Sequence, residues 1–188
     1  MGLMEPRAVK VALLLSVILA GIVLGACGTD GGDAAPPDTT TSITSTTSTT
    51  TSSEIKVFFT PEGAAQEDCA AVEPVNRTAD GDALLEAAMT ELLKGPTAEE
   101  AAAGLTSWFS ADTAGMLNSV VIDDRTARID FADFSTLIPN ASTSCGSAML
   151  LAQLDATAAQ FDPVDETIYS FDGDVASFYE WLQFAPPD

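Results

Sequence analysis

The 188-residue sequence has no histidine, and only seven basic residues stand against 28 acidic ones, for a formal charge of −21. Without imidazole there is no Ser-His-Asp or Cys-His relay, no His-ligated zinc and no switch near neutral pH. With so few cations there is no basic stripe to neutralise phosphates, which argues against nucleic acid as a partner. Chemistry is left to carboxylates, hydroxyls, three cysteines and the backbone. What the chain does have is 46% hydrophobic residues, enough for a core in one or two domains.

Long hydrophobic runs are also missing. The longest, Val11 to Leu24, follows Arg7 and Lys10 and is short for a bilayer span of about 20 residues. It reads as the apolar region of an export signal over residues 1–26. Leu24-Gly25-Ala26-Cys27 resembles a bacterial lipobox, which implies cleavage before Cys27 and a diacylglyceryl anchor on its sulfur, with palmitate-type acyl chains. Ordinary signal-peptidase cleavage and an uncleaved anchor are the alternatives. Two or three acyl chains hold a protein stably at a membrane, whereas one binds marginally. Loss of Glu5, Arg7 and Lys10 would leave 27 acidic and 5 basic side chains.

Residues 27–53 read as a disordered linker. From Thr39 to Ser53 every residue but Ile43 is threonine or serine, so little apolar surface offsets the entropy of ordering. The segment suits a flexible stalk, and its hydroxyl density is equally compatible with a glycosylated one.

Residues 54–184 carry globular patterning, with 185–188 as a tail. Ile55 to Thr60 alternates as a strand, and a weaker extended segment covers Ala71 to Arg77. The spacing of Leu85, Ala88, Met89 and Leu92 predicts a helix over Asp82 to Lys94, with Asp82 as its cap and Gly95-Pro96 as its stop. Thr97 and Glu100 form a capping-box pattern for a further helical turn. Ser119 to Phe131 reads as a hairpin turning at Asp123 to Thr126. Ser142 to Phe161 reads as a second long helix, Thr167 to Phe171 as a strand, and Val175 to Leu182 as a short helix. The order β-β-α-β-β-α-β-α predicts an α+β domain, with helices packed on one face of a mixed, largely antiparallel sheet.

The run Leu92-Leu93-Lys94-Gly95-Pro96-Thr97, with Glu99, Glu100, Gly104 and Leu105 behind it, and the hairpin arm Ala127-Arg128-Ile129-Asp130-Phe131 carry a resemblance. Together with the succession of elements from Ile55 to Gly173 they resemble the GerMN domain, a module named after a spore-germination protein. The resemblance implies a ring-building-motif-like α+β fold, a place on the outer face of a cell membrane, and no enzymatic activity, cofactor or agreed ligand. The chain has one copy rather than a tandem pair, and an insertion around Gln66 to Cys69.

Cys69 and Cys145 are the two cysteines left once Cys27 is lipidated, and an even pair in an exported domain reads as a disulfide. Closing that loop is worth roughly 4–5 kcal/mol in the chain-entropy model. A redox or metal-binding thiol pair is the alternative, but there is no CxxC and no histidine. The close acid pairs Asp80/Asp82, Asp123/Asp124, Asp130/Asp133, Asp162/Asp165 and Asp172/Asp174 are fragments of a calcium-loop pattern, better read as turns, caps and a solvated face. No catalytic, cofactor-binding or metal residue is expected. Trp108, Phe109, Tyr179 and Trp181 are candidate contact aromatics, with core packing as the competing role.

The expectation is an extracytoplasmic lipoprotein, anchored in the cell membrane, whose single module binds a cell-envelope protein or cell-wall polymer without turnover. An accessory or sensor subunit of a membrane signalling or transport complex is the first alternative. A carboxylate-dependent envelope enzyme is the distant one. A deep acid-lined cleft would favour the enzyme, and a shallow acidic surface the module.

Overall fold

The computed structural model describes residues 52–187. The signal region, Cys27 and the linker up to residue 51 lie outside the described residues. Strand β1, Ser52–Pro61, buries Ile55, Val57 and Phe59 on one face. It begins two residues inside the segment read as linker, because backbone pairing asks nothing of serine side chains that serine cannot meet. Strand β2, Glu73–Asp80, pairs with it antiparallel from Ser52↔Asp80 to Phe59↔Glu73.

Helix α1, Leu84–Leu93, buries Leu85, Ala88, Met89, Leu92 and Leu93. Its N-cap is Ala83, which supplies no side-chain bond, so Asp82 stands one position too early to cap it. Gly95 follows the helix at φ +73°. A Cβ there would lie 2.9 Å from the Phe109 carbonyl carbon and closer still to its oxygen, so only glycine fits both the left-handed backbone and the approach. Helix α2, Ala98–Ala102, starts with the expected capping box: Thr97 Oγ1 accepts from Glu100 N at 3.3 Å, and Thr97 N donates to Glu100 Oε2 at 2.8 Å. Strand β3, Leu105–Thr106, pairs with Thr60 and Pro61 of β1 and completes a sheet of order β2-β1-β3.

The hairpin is β4, Leu117–Asp123, and β5, Thr126–Phe131. Asp124 and Arg125 form its two-residue loop, both at positive φ (45° and 68°), the signature of a type I′ turn. Helix α3, Ser144–Ala159, then crosses over to β6, Glu166–Phe171, which lies parallel to β5. Helix α4, Val175–Trp181, closes the chain, its first turn capped by Asp174.

The fold is α+β as expected, but the strands form two three-stranded sheets, β2-β1-β3 and β4-β5-β6, rather than one. The first sheet ends at β3, which is two residues long and whose partner Pro61 has no N–H to carry the ladder on. Both sheets contribute to one core. Val57 and Phe59 come from the first, Ile129, Phe131 and Tyr169 from the second, and α1, α3 and α4 supply Leu92, Leu150 and Phe178.

Helix α3 buries Ser147, Gln153 and Thr157 among its leucines. Gln153 is satisfied by Ser107 Oγ at 2.5 Å, Thr60 Oγ1 at 3.1 Å and the Met149 carbonyl at 3.2 Å. Among the described residues, no buried side-chain polar atom lacks a partner. Cys69 and Cys145 form a disulfide, Cα atoms 5.3 Å apart, tying the loop after β1 to the first turn of α3. Among the described residues, no helix is long and apolar enough to cross a membrane.

Candidate functional site

The candidate aromatics turn inward. Phe109 is buried. Trp108 is half-buried, and its indole N–H donates to the Gly146 carbonyl at 3.1 Å. Trp181 stacks its faces and edges on Phe134, Phe171 and Phe178, with centroids 5.8, 5.4 and 5.9 Å away. Tyr179 lies against Phe178, and its hydroxyl accepts from Tyr169 N at 3.4 Å. These rings are core and sub-core packing, not an exposed contact patch.

Three of the five acid pairs are similarly employed, wholly or in part. Asp133 accepts from Ser135 N at 2.8 Å, Asp174 caps α4, and Asp165 pairs with Arg125. Asp130 accepts from Ser170 Oγ at 2.5 Å, Gly173 N at 2.7 Å and Asn118 Nδ2 at 3.0 Å. Burial pushes the Asp130 carboxyl up, and these three donors outweigh it and hold it below its ordinary range. Asn118 also reaches Asp172 at 3.2 Å. Among the described residues, no group of three or more Cys, Asp or Glu could hold a metal ion. Among the described residues, the strongly shifted buried hydroxyl is Tyr169. Burial and its 2.6 Å bond to Asp155 raise its pKa well above the ordinary value, so it stays a neutral donor.

The concave surface with distinct chemistry is an open groove of about 370 Å³ between α1, β4 and the turn after α3. Ala83, Leu84, Leu85, Val120, Ile122, Phe161 and Pro163 line it, and Asp82, Glu86 and Asp162 stand at its rim. Each element brings its residues for a local reason. The first turn of α1 projects Leu84 and Leu85 inward and Glu86 outward. Val120 and Ile122 lie opposite the buried Ile129 and Ala127 and so share their core-side face, but on the outer strand of the sheet. Phe161 packs with Leu84 on the small cluster of Ile55, Ala79 and Ala88. None of the three rim carboxylates takes part in an ion pair among the described residues.

The groove was not singled out from sequence, although its signal was there. Val120-Val121-Ile122 is three consecutive apolar residues on a hairpin arm, one more than alternation requires, and Ile122 remains 41% exposed and Val121 55%. The site is shallow, apolar at its floor and acidic at its edge. No nucleophile, base or donor set converges on it.

A family model described as "Germane: Sporulation and spore germination" matches residues 56–176. Among solved structures, the chain is similar to "Tandem GerMN domains of the sporulation protein GerM from Bacillus subtilis" at 21% sequence identity and a TM-score of 0.44. That match covers 65% of this chain and 40% of the other, so the chain spans less than half the length of that structure. No curated protein matches.

Proposed function

The chain belongs to the Germane family, whose description is sporulation and spore germination, and from that premise we propose that it is an extracytoplasmic lipoprotein whose folded domain binds a cell-envelope partner without turnover. Cys27 carries the lipid, the threonine/serine stretch to residue 51 spaces the domain from the membrane, and the domain supplies the contact. The observation that supports binding over catalysis is the chemistry of the groove. Its floor is apolar, its carboxylates stand at an open rim, and perturbed titrating groups such as Tyr169, Asp130 and Glu100 are bonded into the scaffold elsewhere. A partner protein suits this surface better than a neutral wall polymer, because the rim offers three carboxylates, none of them in an ion pair among the described residues.

Crosslinking in native membranes, with identification of the captured species, tests the reading. A specific envelope protein joined to the folded domain is expected, and Cys27→Ala should release the protein from the membrane fraction. Retention of Cys27→Ala at the same processed mass, or crosslinking to no envelope component, would overturn it.

A further inference from the structure

Strand β4 is the outer strand of its sheet, with β5 on one side and, among the described residues, no strand on the other. The two-residue loop makes Asp123 and Thr126 the closing hydrogen-bonded pair, so bonding alternates back along the arm. Val121 and Ser119 therefore bond to β5, whereas the N–H and C=O groups of Val120 and Ile122 point out of the sheet. The side chains of those same two residues enter the apolar groove. Backbone groups seeking a strand and a floor seeking alternate apolar side chains thus coincide at one place.

We infer that the open edge of β4 and the groove beside it form a strand-docking site for an extended polypeptide segment of a partner protein, with alternate apolar residues bracketed by lysine or arginine. The inference gives the partner of the binding-module reading its chemistry and rests on that reading. An extended segment uses the outward amides of Val120 and Ile122, and a helix laid in the groove cannot. Residues two apart on the added strand drop into the floor formed by Leu84, Leu85 and Phe161. Basic residues at either end meet Asp82 and Glu86, which take part in no ion pair among the described residues, and Asp162, whose neighbour Arg125 is paired with Asp165. A second copy of this chain is the wrong occupant. Pairing β4 with β4 would set these carboxylates and Asp123 against their own duplicates, the kind of charge that guards an edge against self-pairing.

The test uses the full chain in detergent micelles and a fluorescent heptapeptide, Lys-Thr-Val-Thr-Val-Thr-Lys, blocked at both ends. Hydrogen exchange should slow across residues 117–123 on adding the peptide, and anisotropy should report saturable binding. Of two peptides methylated on backbone nitrogen, one at the valines and one at the threonines, only one should lose about tenfold in affinity, because edge pairing uses one alternate set of amides. Replacing both lysines by glutamate should also weaken binding about tenfold, and the Asp82→Asn, Glu86→Gln, Asp162→Asn variant should erase that difference. No protection at 117–123, equal effects of the two methylations, or protection that appears on concentrating the chain alone would overturn the site. If the heptapeptide fails while crosslinking captures an envelope partner, the docking site falls and the binding-module reading stands. If the heptapeptide behaves as described and no partner is captured, the docking site stands and the assignment of a cell-envelope component as its partner falls.

Discussion

Arg77 on β2 grips Glu100 on α2 with both prongs of its guanidinium, Nη1 to Oε1 at 2.5 Å and Nη2 to Oε2 at 2.7 Å. The same carboxylate accepts the Thr97 amide in the capping box, and Glu91 of α1 stands 3.8 Å from Arg77 Nε. One acid therefore closes a helix start and fastens that helix to the first sheet.

Acid should loosen this join. The bidentate Arg77 bond, helped by the Thr97 amide, holds the Glu100 carboxyl at about 2 against an ordinary 4.5. A depressed acid contributes its stabilisation in full above its unfolded pKa and loses it as pH falls through the folded one. Stability should therefore decline as pH drops from about 4.5 toward about 2, and Glu100→Gln should flatten that limb while costing about 1–2 kcal/mol at neutral pH. Denaturant melts across this range decide it, and identical acid limbs in the two proteins would refute it.

Cutting the disulfide should cost about 4–5 kcal/mol in the chain-entropy account, since Cys69 and Cys145 are separated by 76 residues. The Cys69→Ser, Cys145→Ser variant should show a lower denaturation midpoint than the oxidised chain. Thiol titration before and after reduction should find the two cysteines blocked and then free.

Two glycines with similar backbones should respond differently to alanine. Gly95 and Gly115 lie at φ +73° and +82°, but a Cβ at Gly115 meets nothing within 4 Å. Gly115→Ala should cost about 1 kcal/mol, the backbone term alone. Gly95→Ala must also displace the Phe109 carbonyl and should cost at least about 2 kcal/mol. Equal costs would mean that the approach at Gly95 is not constraining.

Trp181→Ala should destabilise the fold by about 3 kcal/mol, because three phenylalanine rings lose a partner. Measured at a temperature where the variant remains folded, its affinity for the lysine-valine heptapeptide should match that of the parent. A binding defect without a stability defect would restore Trp181 as a contact residue.

The parts of the fold governed by local rules were legible in the sequence. The spacing of Leu85, Ala88, Met89 and Leu92 placed the buried face of α1, Thr97 and Glu100 placed the capping box, and the hairpin arms fell where alternation put them. What escaped depended on tertiary context. Whether the strands merge into one sheet turns on a two-residue strand and a proline, and the polar side chains buried in α3 make sense only once Thr60 and Ser107 face Gln153. The cysteine pair was readable because, once Cys27 is set apart as the expected lipid site, the two remaining thiols permit one pairing. The groove was not, because Leu84, Val120 and Phe161 are far apart in the chain and each looks like ordinary core.

The start of β1 at Ser52 has a mechanical consequence. Ladder bonds run perpendicular to their strands, so a pull entering at Ser52 along β1 loads the eight β1–β2 pairs from Ser52↔Asp80 to Phe59↔Glu73 in shear, all at once. Peeling would instead break such bonds one after another at far lower force. With β1 also at the centre of its sheet, a domain held by its N-terminal side resists extraction along the direction in which it would be pulled.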